Sequence, residues 1–352
     1  MRQHFCAAPW AGLSLDPDGN GKVCCINTAR VPINNFKDVK DNPVFTDIRK
    51  SVIDDKQHPS CQQCWDREAS SDTNSRRSIY QYDDFFHNLT TPDSFQLEHL
   101  DLRWSNTCNL NCVYCSPIFS SKWADLRGLT KKFRVFPTIS DLDLINLKVL
   151  QMAGGEPLLI KENFDLLERL SHINPGINIE ITTNLTSIQN NRIYQLLKKF
   201  NNVTWVVSFE STNKQFEYIR NGAKWKEFKS NLSQLAKDFL NFQVNMVYFP
   251  LSANDISNAI DVALAYTLAD NIFIVSQFGG HGFDFVGRNA LQLLNQKNIE
   301  YSERLPTILK DRLLIQIMLA STKAQTTYLP RYEEFDQLTN QNHRLIFPEL
   351  YE

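Results

Sequence analysis

Two hydrophobic periods alternate along the chain from residue 97 onward. Leu97-Glu98-His99-Leu100-Asp101-Leu102-Arg103-Trp104 switches between apolar and polar positions as a strand does. Further strand-like runs fall at 147–152, 177–183, 203–209, 243–249 and 272–276. Between them, helical periodicity covers about 118–129, 162–172, 188–200, 224–240 and 255–268. Strands that alternate with helices predict parallel βαβ units and an α/β fold.

The first seventy residues read differently. Leu13-Ser14-Leu15 is strand-like, Asp16-Pro17-Asp18-Gly19-Asn20-Gly21 is a tight turn, and Lys22-Val23-Cys24-Cys25 forms the return strand of a hairpin. Asn42-Pro43 opens a helix that runs to Ile53 and ends before His58-Pro59, ahead of Cys61-Gln62-Gln63-Cys64-Trp65. So small a unit has little core of its own and needs a metal staple. Residues 66–95 are polar (Arg76 and Arg77 among them) and then aromatic, which predicts a linker with an adjoining helix. Residues 287–352 read as helices, the clearest from Pro306 to Ala320, that cap the open side of a barrel or dock a partner. The expected domains are therefore 1–70, a linker at 71–96, an α/β body at 97–286 and a helical segment at 287–352.

Composition narrows the function only a little. The 352 residues are 42% hydrophobic and 22% charged, as in ordinary globular proteins. The net charge of −2 and the lack of a basic block give no support for a nucleic-acid surface. No apolar run reaches membrane-spanning length, and Met-Arg-Gln-His-Phe-Cys is not a signal peptide. A cytoplasmic setting follows, in which eight cysteines stay reduced and call for a metal explanation. Five lie in the first 64 residues, three at 108–115, and none follows.

Those three carry the chemistry. Cys108-Asn109-Leu110-Asn111-Cys112-Val113-Tyr114-Cys115 leaves a strand end as a loop, and a loop can wrap a compact cluster where a helix or strand would point the sulfurs apart. Thiolates ligate iron–sulfur clusters, and three of them leave one iron of a cubane open to a ligand that is not protein. Zinc is the alternative, though it favours paired CxxC or Cys/His hooks.

This CxxxCxxC spacing, with Tyr114 before the last Cys, resembles the radical S-adenosylmethionine (SAM) enzymes. The resemblance implies a partial (β/α)6 barrel, a [4Fe–4S] cluster on Cys108, Cys112 and Cys115, SAM chelating the fourth iron, and Tyr114 beside the adenine. Ala153-Gly154-Gly155-Glu156-Pro157, after the second strand, matches the family's GGEP run, which binds the SAM amino group. Thr183 and Asn184 fall where relatives show Thr-Asn-Gly, with Leu185 in place of the glycine, and line the SAM pocket by resemblance. Ser208 and Glu210 are implied for the ribose and methionyl moiety. Tyr218-Ile219-Arg220-Asn221-Gly222 looks like the family's Ile-Arg-Gly segment, which places Arg220 against a carboxylate.

The N-terminal cysteines resemble the auxiliary-cluster modules called SPASM and, in the one-cluster form, twitch. By that resemblance Cys6, Cys24, Cys61 and Cys64 hold one auxiliary [4Fe–4S] cluster, with the choice between Cys24 and Cys25 left open. A four-Cys zinc knuckle is the competing reading. The module here precedes the radical domain, whereas in relatives it usually follows. His281, in the Gly-rich loop 277–282, is a candidate acid, base or pocket donor.

The activity implied is reductive cleavage of SAM to a 5′-deoxyadenosyl radical, which abstracts a hydrogen atom from substrate. A flavodoxin- or ferredoxin-type reductant is the expected partner. Enzymes with the auxiliary module most often modify peptides or proteins. A small-molecule or nucleotide-type substrate is the rival, favoured because no leader-recognition domain is expected before Cys6. A non-catalytic electron-transfer protein is the third reading, and it leaves the GGEP run unexplained.

Overall fold

The computed structural model describes residues 6–69, 91, 94–129, 135–239, 242–276, 288–322 and 329–351. The chain divides into two units. One comprises Met1–Thr107, Lys131–Ile181 and Arg192–Val203; the other comprises Cys108–Thr130, Thr182–Asn191 and Thr204–Glu352.

In the first unit the alternation seen in the sequence becomes a two-faced sheet. Its strands are β1 (Gly12–Leu15), β2 (Asn20–Lys22), β3 (Val31–Pro32), β4 (His99–Leu102), β5 (Val149–Met152) and β6 (Asn178–Thr183, whose last two residues belong to the second unit), in the order β3-β2-β1-β4-β5-β6. β1, β4, β5 and β6 run parallel, while β2 and β3 are antiparallel additions. The register aligns Leu13, Leu100, Leu150 and Ile179 at one level and Ser14, Asp101, Gln151 and Glu180 at the next. Successive side chains point to opposite faces, so one face is an apolar core and the other a polar row. All four of the apolar residues are buried.

β1 departs from the expectation of an independent N-terminal hairpin. It pairs antiparallel with β2, as the turn chemistry predicts, but its other edge joins β4 in parallel. The return strand is also shorter than expected, and Cys24 and Cys25 lie beyond it in a bend. Lys22 turns the chain there. Its Nζ donates to the Cys25 carbonyl at 2.9 Å and pairs with Asp16 at 3.1 Å, while Arg30 bridges Asp16 and Asp18 at 2.9 Å each.

The helix Pro43–Ile53 starts where Asn42 predicts, with the Asn42 side chain accepting from the Val44 amide. Its Arg49 is fully buried yet satisfied. The guanidinium donates to the carbonyl of Pro9 and the hydroxyl of Thr46 at 3.1 Å each, and to the carbonyl of Lys40.

The second unit holds the parallel strands β7 (Asn202–Ser208, entering this unit at Thr204), β8 (Phe242–Tyr248) and β9 (Ile272–Ser276). Phe209, Phe216, Trp225 and Phe228 fill its core, with the Phe216 and Phe228 ring centres 4.8 Å apart. The C-terminal segment docks on the helix Asn213–Ile219. Tyr218 packs edge-on against Phe335 and Phe347, and its hydroxyl donates to Asp336 at 2.9 Å.

The architecture is α/β with mostly parallel strands, and neither unit's strands close on themselves among the described residues. This is the arrangement of a partial TIM-type (β/α) fold. All six strands expected from residue 97 onward are present, each within a few residues of its expected bounds, and the helix expected over 118–129 is the shorter Ser121–Leu126. No helix among the described residues is long and apolar enough to cross a membrane. Arg76, Arg77, His281 and most of the linker lie outside the described residues.

Replacing Arg49 with Met keeps the volume but strands the buried Pro9 carbonyl, at about 1–3 kcal/mol for the unsatisfied group. Urea unfolding of the full chain is expected to show at least that loss.

Candidate active site

The loop that carries Cys108, Cys112 and Cys115 lies in the second unit and is fixed almost entirely through its own backbone. The Asn111 amide donates to the Asn221 carbonyl at 3.1 Å and the Val113 amide to the Ile219 carbonyl at 2.8 Å. Ser120 donates to the Leu110 carbonyl at 2.6 Å, and the Trp123 indole to the Cys112 carbonyl at 2.8 Å. Gly222 is required by this docking. Its φ is +100°, and a Cβ there would come within 3.1 Å of the Asn109 carbonyl oxygen.

The three thiols share one electrostatic neighbourhood. Burial pushes the Cys112 thiol well up from its ordinary range, Arg220 pulls it down, and Cys115, Cys108 and Glu210 raise it further. Arg220 and Glu210 are both buried and form a two-pronged pair, with guanidinium-to-carboxylate distances of 3.1 and 2.7 Å. The Tyr114 hydroxyl donates to the same carboxylate at 3.2 Å, and the guanidinium lies 5.7 Å from the Tyr114 ring centre. Arg220, expected to meet a carboxylate, thus meets that of Glu210. Burial pushes the Tyr114 phenol well up, so it stays a donor.

Thr183 and Asn184 shape the turn after β6. The Thr183 hydroxyl accepts from the Leu185 amide at 2.9 Å, and Asn184 accepts from the Thr186 amide at 2.9 Å and hydroxyl at 2.6 Å. The Asn184 amide donates to Asn109 at 3.0 Å and lies 3.9 Å from the Cys108 sulfur. Leu185 adopts φ +58°, the left-handed conformation that glycine takes without strain, and it is fully buried. Ser208 sits half-buried at the end of β7.

The GGEP turn belongs to the first unit, where its glycines answer a packing demand. Gly154 has φ +107°, and a Cβ on Gly155 would sit 2.2 Å from the Thr107 carbonyl oxygen. The Gly155 and Glu156 amides donate to the carbonyls of Ser105 and Thr107 at 3.1 and 2.7 Å. Glu156 is buried, and its carboxylate accepts from the Leu158 amide at 3.3 Å. Asn163 holds the Pro157 carbonyl at 3.0 Å while accepting from Trp104 at 2.8 Å.

Also in the first unit, Cys6, Cys24, Cys61 and Cys64 line one partly open pocket together with Val23, Val52 and Trp65. Cys24 feels Cys25, Cys6 and Cys61, and burial drives its thiol well up. Cys25 is absent from that pocket's lining and borders a second, smaller pocket with Ser14, His99, Asp101 and Gln151, which Cys24 also touches. No three His, Cys, Asp or Glu side chains among the described residues converge tightly enough for a single metal ion.

Sequence reasoning missed that second cavity and its polar row. His99 pairs with Gln151 at 3.0 Å, Gln151 donates to Glu180 at 2.9 Å, and Arg103 holds Asp101 at 3.1 Å. Ser14 is fully buried, and its hydroxyl has no partner among the described residues. The available signal was polar residues at alternate positions of strands whose other positions are leucine and isoleucine. Asn109 and Trp123, which brace the cysteine loop, were also missed and leave no distinctive pattern.

Residues 102–263 match the family model described as the Radical SAM superfamily. That stretch, a little under half of the chain, is similar to the radical SAM superfamily of enzymes. It is 24% identical over 177 residues to a GTP 3′,8-cyclase of Clostridium botulinum (strain Hall), a match that covers 49% of this chain and 55% of that protein. It is 35% identical over 109 residues to an uncharacterised protein of Methanocaldococcus jannaschii, covering 29% and 35% respectively. The chain thus spans about half the length of the GTP 3′,8-cyclase of C. botulinum and less of the archaeal protein. Among solved structures, SuiB of Streptococcus suis bound to the precursor peptide SuiA gives a TM-score of 0.42 at 15% identity, covering 83% of this chain and 68% of that one. Native anSMEcpe with bound AdoMet gives 0.40 at 17% identity, covering 58% of this chain and 60% of that one.

The family implies a [4Fe–4S] cluster and SAM, and the residues present fit both. Three thiols on one loop are the soft donor set a cluster needs, and the buried Asn111 amide nitrogen and Ser211 hydroxyl beside that loop and Glu210 lack partners among the described residues.

Two substitutions test the geometry. Gly155→Ala forces the Thr107 backbone to move, at a cost of about 1–3 kcal/mol, and is expected to weaken SAM binding in equilibrium dialysis. Arg220→Met strands the Glu210 carboxylate and is expected to lower stability by about 3–5 kcal/mol. The double change Glu210→Gln with Arg220→Met should cost less than Arg220→Met alone in chemical denaturation.

Proposed function

We propose that this protein cleaves SAM reductively and takes a hydrogen atom from its substrate, most simply a peptide or protein that it modifies. The observation that carries the reading is the three-thiol loop held beside the buried Arg220–Glu210 pair, in a chain that also bears the GGEP turn. Cys108, Cys112 and Cys115 would hold the [4Fe–4S] cluster, whose chemistry when bound is delivery of one electron to the sulfonium of SAM. Backbone groups of Gly154, Gly155, Glu156 and Pro157 would receive the SAM amino group. In the second unit, Tyr114, Thr183, Asn184, Ser208, Glu210 and Arg220 would contact SAM, with the Arg220–Glu210 pair fixing Tyr114 and offering charge to the methionyl end.

Cys6, Cys24, Cys61 and Cys64 would hold an auxiliary [4Fe–4S] cluster. Four thiols set around a pocket support a cluster over a single zinc ion, and Cys24, which lines that pocket where Cys25 does not, is favoured as the ligand. The row Ser14, Asp101, Gln151 would hold a polar group of the substrate. A flavodoxin- or ferredoxin-type protein would supply electrons, and eight thiols outside any disulfide fit the reducing cytoplasm.

A nucleotide-type substrate is the second reading. It is favoured by the GTP 3′,8-cyclases of several bacteria among the relatives.

The test is anaerobic. Reconstituted protein given dithionite and SAM is expected to form 5′-deoxyadenosine, measured by liquid chromatography, and the triple change of Cys108, Cys112 and Cys115 to Ala is expected to abolish it. Persistence of the product in that variant would remove the site assignment. Acceleration by GTP but not by peptide pools would favour the second reading.

A further inference from the structure

The two cysteine-bearing loops of the first unit are joined by one buried side chain. Asn27 is 4% exposed, and its amide nitrogen lies 3.0 Å from the Ser60 hydroxyl and 3.3 Å from the Cys61 sulfur. Its orientation is fixed independently, because its side-chain oxygen accepts from the Ala29 amide at 3.0 Å. The nitrogen, rather than the oxygen, therefore faces the sulfur. Ser60 is held in turn by His58, whose Nδ1 lies 2.7 Å from the hydroxyl, and the Ser60 carbonyl accepts from the Thr28 amide at 3.0 Å. Cys61 lines the four-thiol cavity, and so does Asn27. A donor so placed is braced on both sides before any metal arrives.

A hydrogen bond to a ligating sulfur withdraws charge from it and stabilises the reduced, more negative cluster, which raises the reduction potential. The bond strengthens when the thiol becomes a thiolate, because the acceptor is then charged. From this geometry we infer that Asn27 tunes the auxiliary centre, setting its reduction potential through the Nδ2–H···Sγ bond to Cys61. This rests on the auxiliary-cluster reading above. It makes Asn27 a positioning residue, since it acts on the metal through Cys61 rather than by ligation.

The measurement uses the full chain with Cys108, Cys112 and Cys115 changed to Ala, so that only the auxiliary centre remains. Iron, sulfide and zinc are assayed after anaerobic reconstitution, and the potential is read by titration followed by electron paramagnetic resonance. Asn27→Asp keeps the shape and the cap on Ala29 but replaces the donor with an acceptor. Asn27→Leu removes the donor without adding charge. Both variants are expected to load iron like the parent and to titrate at a more negative potential, with Asn27→Asp lowest. Unchanged potentials in both would overturn the inference. So would loss of iron from both, which would make Asn27 a structural tie alone. Zinc without iron in the parent would instead overturn the auxiliary-cluster reading itself, and the tuning role with it.

Discussion

The buried pair of Arg220 and Glu210 is the interaction on which the second unit's site depends. Neither charge could be buried alone, since an unpaired ion taken from water costs several kcal/mol. Together they fix Tyr114 through its hydroxyl and set the field at Cys112. The segment that delivers Arg220 also supplies the carbonyls of Ile219 and Asn221 that grip the cysteine loop. One short stretch thus provides a charge, two backbone acceptors and, at Gly222, the clearance for the loop to come close. The helix behind that stretch is anchored through Tyr218 to Asp336, so the C-terminal segment bears on the site by holding its support.

The first unit solves a different problem with the same tools. Its GGEP turn is glycine-rich because the backbone of residues 105–107 runs against it, and Glu156 is spent on capping the turn that follows. The Pro157 carbonyl that follows is held by Asn163, which Trp104 fixes in turn. Around the four N-terminal thiols the walls are largely apolar, and a low-dielectric setting strengthens every hydrogen bond made to sulfur.

Most of the secondary structure was legible because it follows from local chemistry. The strand read at 177–183 is Asn178–Thr183, and the helix announced by Asn42-Pro43 begins and ends where its cap and its last apolar residue place it. The thiol spacing and the glycine run were equally plain, since each needs particular residue types at short separations. Other features were hidden because they depend on segments far apart in sequence. Nothing local says that β1 lies beside β4, that Ser14 levels with Asp101, or that Asn27 reaches Cys61. Leu185 shows the limit from the other side. The departure from glycine was visible, but the chain keeps the left-handed turn and accepts the strain, holding the leucine in the core.

The parallel pairing of β1 with β4 bears on how the chain becomes folded. Were the N-terminal segment slow to arrive, β4 would present an open row of amides and carbonyls to other nascent chains, the usual template for sheet-to-sheet aggregation. Contacts between segments so distant in sequence form late, because closing the long intervening loop is entropically costly. The order of pairing thus matters: the N-terminal strand covers an edge that would otherwise stay exposed until the rest of the sheet is made.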